Sequence, residues 1–480
     1  MVPGRLSWVA AAAVGCLVAA GITACGASTP APLGLGAARP CRTADIGEPA
    51  SDPPGVVANV PVEVRFSCAT LTVPLDHGLL PGPRAEGQLA LPVAMADNAD
   101  APRGVLVWLV GGPGEPGVPL AADIASGLDP AVLRDYRLVL LSGRGTGDGA
   151  LHCPELQQAV GGSDLAIPPP GAVAACAREL GPDRRFYSTA STVADLDALR
   201  AALGVPTLSL DGASYGTFVA ERYAVTYPDR VARLVLDSVV PHDGLDPMEI
   251  DVFARAAQVL RMVCREAACV TDPARDLADV VQTRHDGPPL LDALSDLSSG
   301  RPDLAAVPAA LHAAAHGDYT ALDRMVAATI KGSRATTGEL SAGLHAATTC
   351  QDTIGPWGGA ASPVAGRAAA IAATAAALPD SAFFPFDRAT ATGNGQVAVC
   401  EQWPATPVVP FPAGRDLPAV PVLVLAGDHD LNTPLAWGEQ ELARAPRGQL
   451  VVVPGAGHIT QDHANGAGGR EAVRRFLTGS

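Results

Sequence analysis

A serine at position 214 stands between glycines placed two residues to either side, in the stretch Gly212-Ala213-Ser214-Tyr215-Gly216. The sequence changes character there: residues 208–211 read as a strand, and residues 215–227 carry apolar side chains at helical spacing. Glycines at both positions permit a turn too tight for side chains, one that would hold Ser214 strained and exposed between strand and helix. That is how a nucleophilic hydroxyl is displayed for acyl transfer. With 51 glycines in 480 residues, the pentapeptide alone is a weak signal, and its partners must decide.

A serine nucleophile needs a base, and the base needs an orienting acid. Asp430 lies just past an apolar run in "LAGDHDLNTP", and His458 just past the last one in "VVVPGAGHIT". Both therefore fall on strand-end loops, in the chain order Ser, Asp, His. Asp428 and His429 beside the acid, and His463 beyond the base, are the neighbouring alternatives. Acyl transfer also needs donors for an oxyanion. "VWLVGGPGEPG" puts Gly111 and Gly112 directly after a strand, and the N–H groups of Gly112 and Tyr215 are assigned to that role.

The elements that would position these residues are apolar runs at 105–110, 136–142, 208–211, 233–238, 420–428 and 450–457, most of them separated by helix-length segments such as 192–203, 215–227 and 434–444. Continuous β-rich runs suit strands buried on both faces, so the pattern predicts a mostly parallel central sheet in an α/β fold. "VEVRFSCATLTVPLDH" and "GQLALPVAMA" alternate instead and predict an antiparallel edge. Between about 241 and 415 the β runs stop. That interval holds alanine-rich helical stretches and the proline-rich exit "WPATPVVPFP", and reads as a helical cap inserted between two strands. The catalytic domain is then 59–240 with 416–480, and the cap 241–415.

The formal net charge of −16, with no clustered basic face, argues against nucleic acid. Arginine supplies every basic side chain except Lys331. Ser-Lys dyads, Schiff bases and Walker sites have only Lys331 to use, and "TIKGS" lacks a phosphate loop. Residues 1–25 read as a signal peptide: Arg5, the apolar run "LSWVAAAAVGCLVAAG", then Ile22-Thr23-Ala24-Cys25. Small residues before Cys25 match a bacterial lipobox, with Cys25 as the lipidated residue, or else an ordinary secretory signal cut after Ala24. Residues 26–58 read as a flexible tether. Setting Cys16 and Cys25 aside leaves eight cysteines: Cys41, Cys68, Cys153, Cys176, Cys264, Cys269, Cys350 and Cys400. In an oxidising compartment they predict four disulfides, whose pairing these residues alone do not select. No C-x-x-C occurs, and neither a metal nor a cofactor is expected.

The motifs "GGPG", "GRGTG", "DLDALRAALG", "GASYGT", "YPDRVARLVLD", "GDHDLNTP" and "GAGH", in this order, resemble the tripeptidyl aminopeptidase and prolyl iminopeptidase family of α/β-hydrolases, in its secreted bacterial branch. The likeness runs from about residue 68 to the C-terminus. It implies an α/β-hydrolase fold with an inserted helical cap, a triad of Ser214, Asp430 and His458, and cleavage of short peptides from free N-termini. It also implies the pairs Cys41–Cys68, Cys153–Cys176, Cys264–Cys269 and Cys350–Cys400. One departure is visible: Ser142 precedes "GRGTG" where relatives carry an aspartate.

The expectation is thus a lipid-anchored serine exopeptidase on the outer face of a bacterial cytoplasmic membrane, or a secreted one if the lipobox is unused. Its partners are peptides with free N-termini, whose ammonium group would meet Glu115, Asp352 or Glu401. A cell-envelope esterase or lipase with the same triad is the alternative, and a non-catalytic binding lipoprotein the third reading. Oligomeric state is not legible.

Overall fold

Ten strands pair in one sheet in the computed structural model, which describes residues 32–49, 64–244, 246–299, 303–412 and 414–479. They are β1 (Gly34–Leu35), β2 (Arg39–Pro40), β3 (Phe66–Pro74), β4 (Gln88–Ala96), β5 (Val105–Leu109), β6 (Arg137–Leu141), β7 (Leu208–Ala213), β8 (Val231–Asp237), β9 (Val422–Gly427) and β10 (Gly448–Val453). The order across the sheet is β1-β3-β4-β6-β5-β7-β8-β9-β10, with β2 also on β3. From β6 to β10 every pairing is parallel, while β1 to β4 pair antiparallel and β4 joins β6 antiparallel. The physical cause is the one read from the sequence. β7 and β9 are buried at every position and sit under helices on both faces, whereas β3 alternates buried and partly exposed residues.

Register places the chemistry. Leu109 pairs with Gly212, Ala213 with Asp237, Asp237 with Leu425, and Gly427 with Val453. The carboxyl ends of β5, β7, β8, β9 and β10 are therefore flush, and their loops emerge together along one edge, where ligands of open α/β sheets bind.

Between β8 and β9 the described residues form helices and no strand pairs with the sheet. Their amphipathic faces share a second apolar core of Phe253, Leu260, Leu277, Val281, Leu290, Leu294, Leu311 and Phe386, which also takes in Leu431 and Trp437. A boundary at 240 misses part of this layer. Helices Pro154–Val160 and Ala172–Leu180, from the β6–β7 connection, bury Leu156, Val173 and Cys176 against Ala346, Ala347, Cys350, Cys400 and Trp403. The segment counted with the sheet thus packs with the helical layer.

The tether also needs correcting. Residues 34–40 form β1 and β2 on the β3 edge, and Cys41 is bonded to Cys68. Four residue pairs on β3 and a covalent link outweigh a proline- and glycine-rich composition. The signal peptide, Cys25 and residues 50–58 lie outside the described residues. The other three disulfides are Cys153–Cys176, Cys264–Cys269 and Cys350–Cys400, so all four pairs follow the resemblance.

Candidate active site

Ser214 begins the helix Tyr215–Thr226 directly from β7, with φ 54° and ψ −125°. A serine holds that strained backbone only where its surroundings impose it. Here the cause is close approach. A Cβ on Gly212 would lie 2.5 Å from the Gly216 carbonyl oxygen, and one on Gly216 would run into the Leu109 carbonyl oxygen. Ser214 N–H donates to the Asp237 carbonyl at 2.9 Å, which pins the turn to β8. Ser214 lines a cavity of about 300 Å³ that His458 also lines.

Asp430 is fully buried. Its Oδ1 accepts from the N–H of Asn432 at 2.7 Å and of Thr433 at 3.0 Å, and its Oδ2 accepts from Thr433 Oγ1 at 2.6 Å and lies 3.0 Å from His458 Nδ1. Nδ1 therefore carries the proton toward the carboxylate, and Nε2 is left as the basic nitrogen. Burial alone would raise the Asp430 carboxyl, but the charge and hydrogen bond of His458 and those of Thr433 hold it below the ordinary carboxylate range. Burial likewise disfavours the His458 imidazolium, and Asp430 overrides it to bring this histidine above its usual value. His458 is anchored from the helical layer, since its N–H donates to the Ser298 carbonyl at 2.9 Å. Asp428 and His429 pair with each other at 2.6 Å, and His463 Nε2 lies 3.1 Å from Ser126 Oγ, so these alternatives face other partners.

The glycine loop after β5 joins the same cavity through Gly111, Gly112 and Pro113. The Gly112–Pro113 peptide is cis, and Gly112 has φ 101°, where a Cβ would meet Gly114 N at 2.7 Å. Tyr215 lines the wall beside Ser214. The loop and the helix start thus frame the serine hydroxyl.

These residues belong to an architecture seen elsewhere. Residues 104–293 match the family described as alpha/beta hydrolase fold, and residues 385–480 the family described as TAP-like protein. The chain has the α/β-hydrolase fold. It is 31% identical over 202 residues to a protein named tripeptidyl aminopeptidase from Streptomyces lividans. That match takes in 38% of this chain and only 36% of the relative's length. It is 25% identical over 483 residues, 86% of each chain, to a protein named serine protease Hip1 from Mycobacterium tuberculosis (strain ATCC 25618 / H37Rv). A solved hydrolase from Pseudomonas aeruginosa PA01 aligns at 18% identity and a TM-score of 0.39, over 84% of this chain and 99% of that one.

Six carboxyl groups line the hydrolase's cavity: Glu115, Asp164, Glu249, Asp292, Asp296 and Asp352. No lysine or arginine does so among the described residues. Burial pushes the Glu115 carboxyl up to about 7. It also pushes Glu249 well above the ordinary carboxyl range, assisted by the charges of Asp246, Asp164 and Asp251, and raises Asp292 and Asp296 as well. Burial raises the Asp352 carboxyl too, opposed by Arg222, whose Nη1 donates to its Oδ1 at 3.0 Å. Glu401 is not part of the wall. On the helix Gly395–Gln402, Cys400 faces its disulfide partner and Gln396, one turn earlier, lines the cavity; Glu401 is about 100° round the helix from Cys400 and acts on Arg367 instead. The sequence reading missed Asp164, Glu249, Asp292 and Asp296. Ser142 is also elsewhere: its Oγ accepts from Val118 N–H at 3.0 Å.

One buried group has metal-ligand composition among the described residues, Glu221, His242 and Glu441. His242 Nδ1 lies 2.7 Å from Glu441 Oε2, and Nε2 lies 2.9 Å from the Arg415 carbonyl oxygen. Both ring nitrogens thus already have protein oxygens within hydrogen-bond distance.

Proposed function

We propose that this hydrolase is an exported serine exopeptidase that removes short peptides from free N-termini. The observation that carries the reading is one cavity holding Ser214, His458 and six carboxyl groups, with no arginine or lysine on its described wall. Leu165, Phe218, Leu340, Leu431 and Trp437 share the wall, so it is the acids that favour a peptide over an acyl chain. A peptide's α-ammonium supplies the missing positive charge, and the buried Glu249 and partly buried Glu115 are the acids best placed to use it, since Asp352 already has Arg222. The relatives' names, a tripeptidyl aminopeptidase and a serine protease, point the same way.

In this reading His458 Nε2 takes the proton of Ser214 Oγ as Oγ adds to the scissile carbonyl carbon. The N–H groups of Gly112 and Tyr215 hold the resulting oxyanion, and Asp430 stabilises the imidazolium. Collapse of the adduct breaks the C–N bond, and the departing amine takes the proton from His458. Water then repeats the addition with His458 as base, releasing the peptide acid. The test is a tripeptide amide offered with a free amine and N-acetylated. Preference for the free amine supports the reading, while equal cleavage, or ester hydrolysis alone, assigns an esterase or endopeptidase. Export with a lipid on Cys25 is part of the proposal: Cys25→Ala should move the protein from the membrane to the soluble fraction, and retention after a salt wash would rule the anchor out.

A further inference from the structure

Helix Ala342–Asp352 of the cap touches both sides of the Ser214 turn. At its N-terminal end, Ser341 N–H donates to the Gly114 carbonyl at 3.1 Å, and His345 Nδ1 lies 3.1 Å from the Pro113 carbonyl oxygen. The fit is close, for a Cβ on Gly114 would sit 2.9 Å from the Ser341 carbonyl oxygen. These contacts seat the loop that carries Gly112.

At its C-terminal end, Asp352 makes two links to the core. Thr189 Oγ1 lies 2.5 Å from Asp352 Oδ2 and 2.7 Å from the Tyr215 hydroxyl. A threonine hydroxyl has one proton. It donates that proton to the carboxylate, so the Tyr215 O–H must donate to Thr189, and the chain runs in one direction, Tyr215 to Thr189 to Asp352. Asp352 Oδ1 meanwhile accepts from Arg222, two turns further along the nucleophile helix, whose guanidinium lies 4.1 Å from the Phe218 ring centre and 4.3 Å from that of Phe411. One carboxylate thus holds that helix at two points, in its first turn through Thr189 and Tyr215 and two turns on through Arg222.

From these contacts we infer that Asp352 is a positioning residue for the oxyanion site, and that helix Ala342–Asp352 fixes the spacing between the Gly112 and Tyr215 N–H groups. The inference rests on the serine-hydrolase reading but not on amine recognition. It replaces the role of ammonium acceptor expected for Asp352. Oxyanion donors act only when held a few tenths of an ångström from the developing charge, so a loosened helix lowers turnover on any acyl substrate.

The experiment measures Asp352→Asn, Thr189→Val and Tyr215→Phe on a free-amine peptide and on p-nitrophenyl acetate, which has no amine. The expected result is a fall in kcat of roughly 10- to 100-fold on both substrates, with KM within about threefold. The double variant Thr189→Val with Asp352→Asn should lose no more than the worse single one, because the two groups are links in one chain. An unchanged kcat on the ester with a raised KM for the free-amine peptide would overturn the inference and return Asp352 to ammonium binding. Additive losses would overturn it as well. If Asp352→Asn unfolds because Arg222 is left unpaired, as its Tm will report, the other two variants keep that ion pair and decide. Ser214→Ala serves as the separate control: full activity there would sink the serine-hydrolase reading itself.

Discussion

His458 Nδ1 lies 3.0 Å from Asp430 Oδ2, although the two residues leave different strands and are 28 positions apart in the chain. The parallel pairing of β9 with β10 makes the meeting possible, because it brings both loops out at one edge. Asp430 is then immobilised by the two N–H groups and one hydroxyl that it accepts from its own loop, at Asn432 and Thr433.

Ser214→Ala should abolish hydrolysis while leaving Tm within a few degrees. The hydroxyl is partly exposed at a turn, and its loss opens no cavity. The rate loss should be thousands-fold or more, read by turnover and by loss of fluorophosphonate labelling. Near-normal turnover by the alanine variant would end the assignment.

As a base, His458 must be neutral, so kcat/KM should rise with pH through its pKa. Burial pulls that pKa down and Asp430 pulls it up further, which places the midpoint above the ordinary histidine value of about 6.5. In Asp430→Asn the largest opposing charge is gone and only the weaker effects of Asp237 and Asp164 remain against burial, so the midpoint of the residual activity should fall. A pH profile unmoved by this substitution would show that Asp430 does not face the working base.

Thr433 contributes a hydroxyl at 2.6 Å to the same carboxylate oxygen that meets the imidazole. Thr433→Val keeps the shape and removes the donor, leaving a buried charged acceptor short of one bond. A loss of about 1–3 kcal/mol is expected, seen as roughly 5- to 100-fold in kcat with little change in KM. Wild-type kcat in this variant would mean that the backbone donors suffice.

Glu249→Gln removes a carboxyl that is 5% exposed and faces the cavity. It should cut kcat/KM on free-amine peptides roughly tenfold or more, about 1.4 kcal/mol, and barely alter p-nitrophenyl acetate hydrolysis. For the wild type, kcat/KM on free-amine peptides should also decline above about pH 8, as the substrate ammonium deprotonates. Equal losses on ester and peptide would place Glu249 in the fold instead of in recognition.

The strands were readable because each carries its own signal. A run such as "VPVLVLAGD" is apolar throughout, so a sheet buried on both faces is its simplest home, and Ser214, Asp430 and His458 each follow such a run. The acids of the cavity wall carry no such mark. Glu249 caps one helix and Asp292 and Asp296 lie four apart on another, and only the packing of those helices turns these carboxyls inward. Glu401 shows the same difficulty reversed: adjacency to Cys400 suggested the wall, and helical geometry turns it away. β1 and β2 escaped notice because two-residue strands have no periodicity to read.

The helical layer has two origins in the chain. Its larger part lies between β8 and β9, but Leu156, Val173 and Cys176 enter it from the β6–β7 connection and are held there by their own disulfide, Cys153–Cys176. A recombinant chimaera that exchanged residues 241–415 alone would therefore strand a greasy surface on the recipient and lose its counterpart on the donor. For breeding new specificities, the transplantable unit is two segments moved together, 150–186 with 238–421.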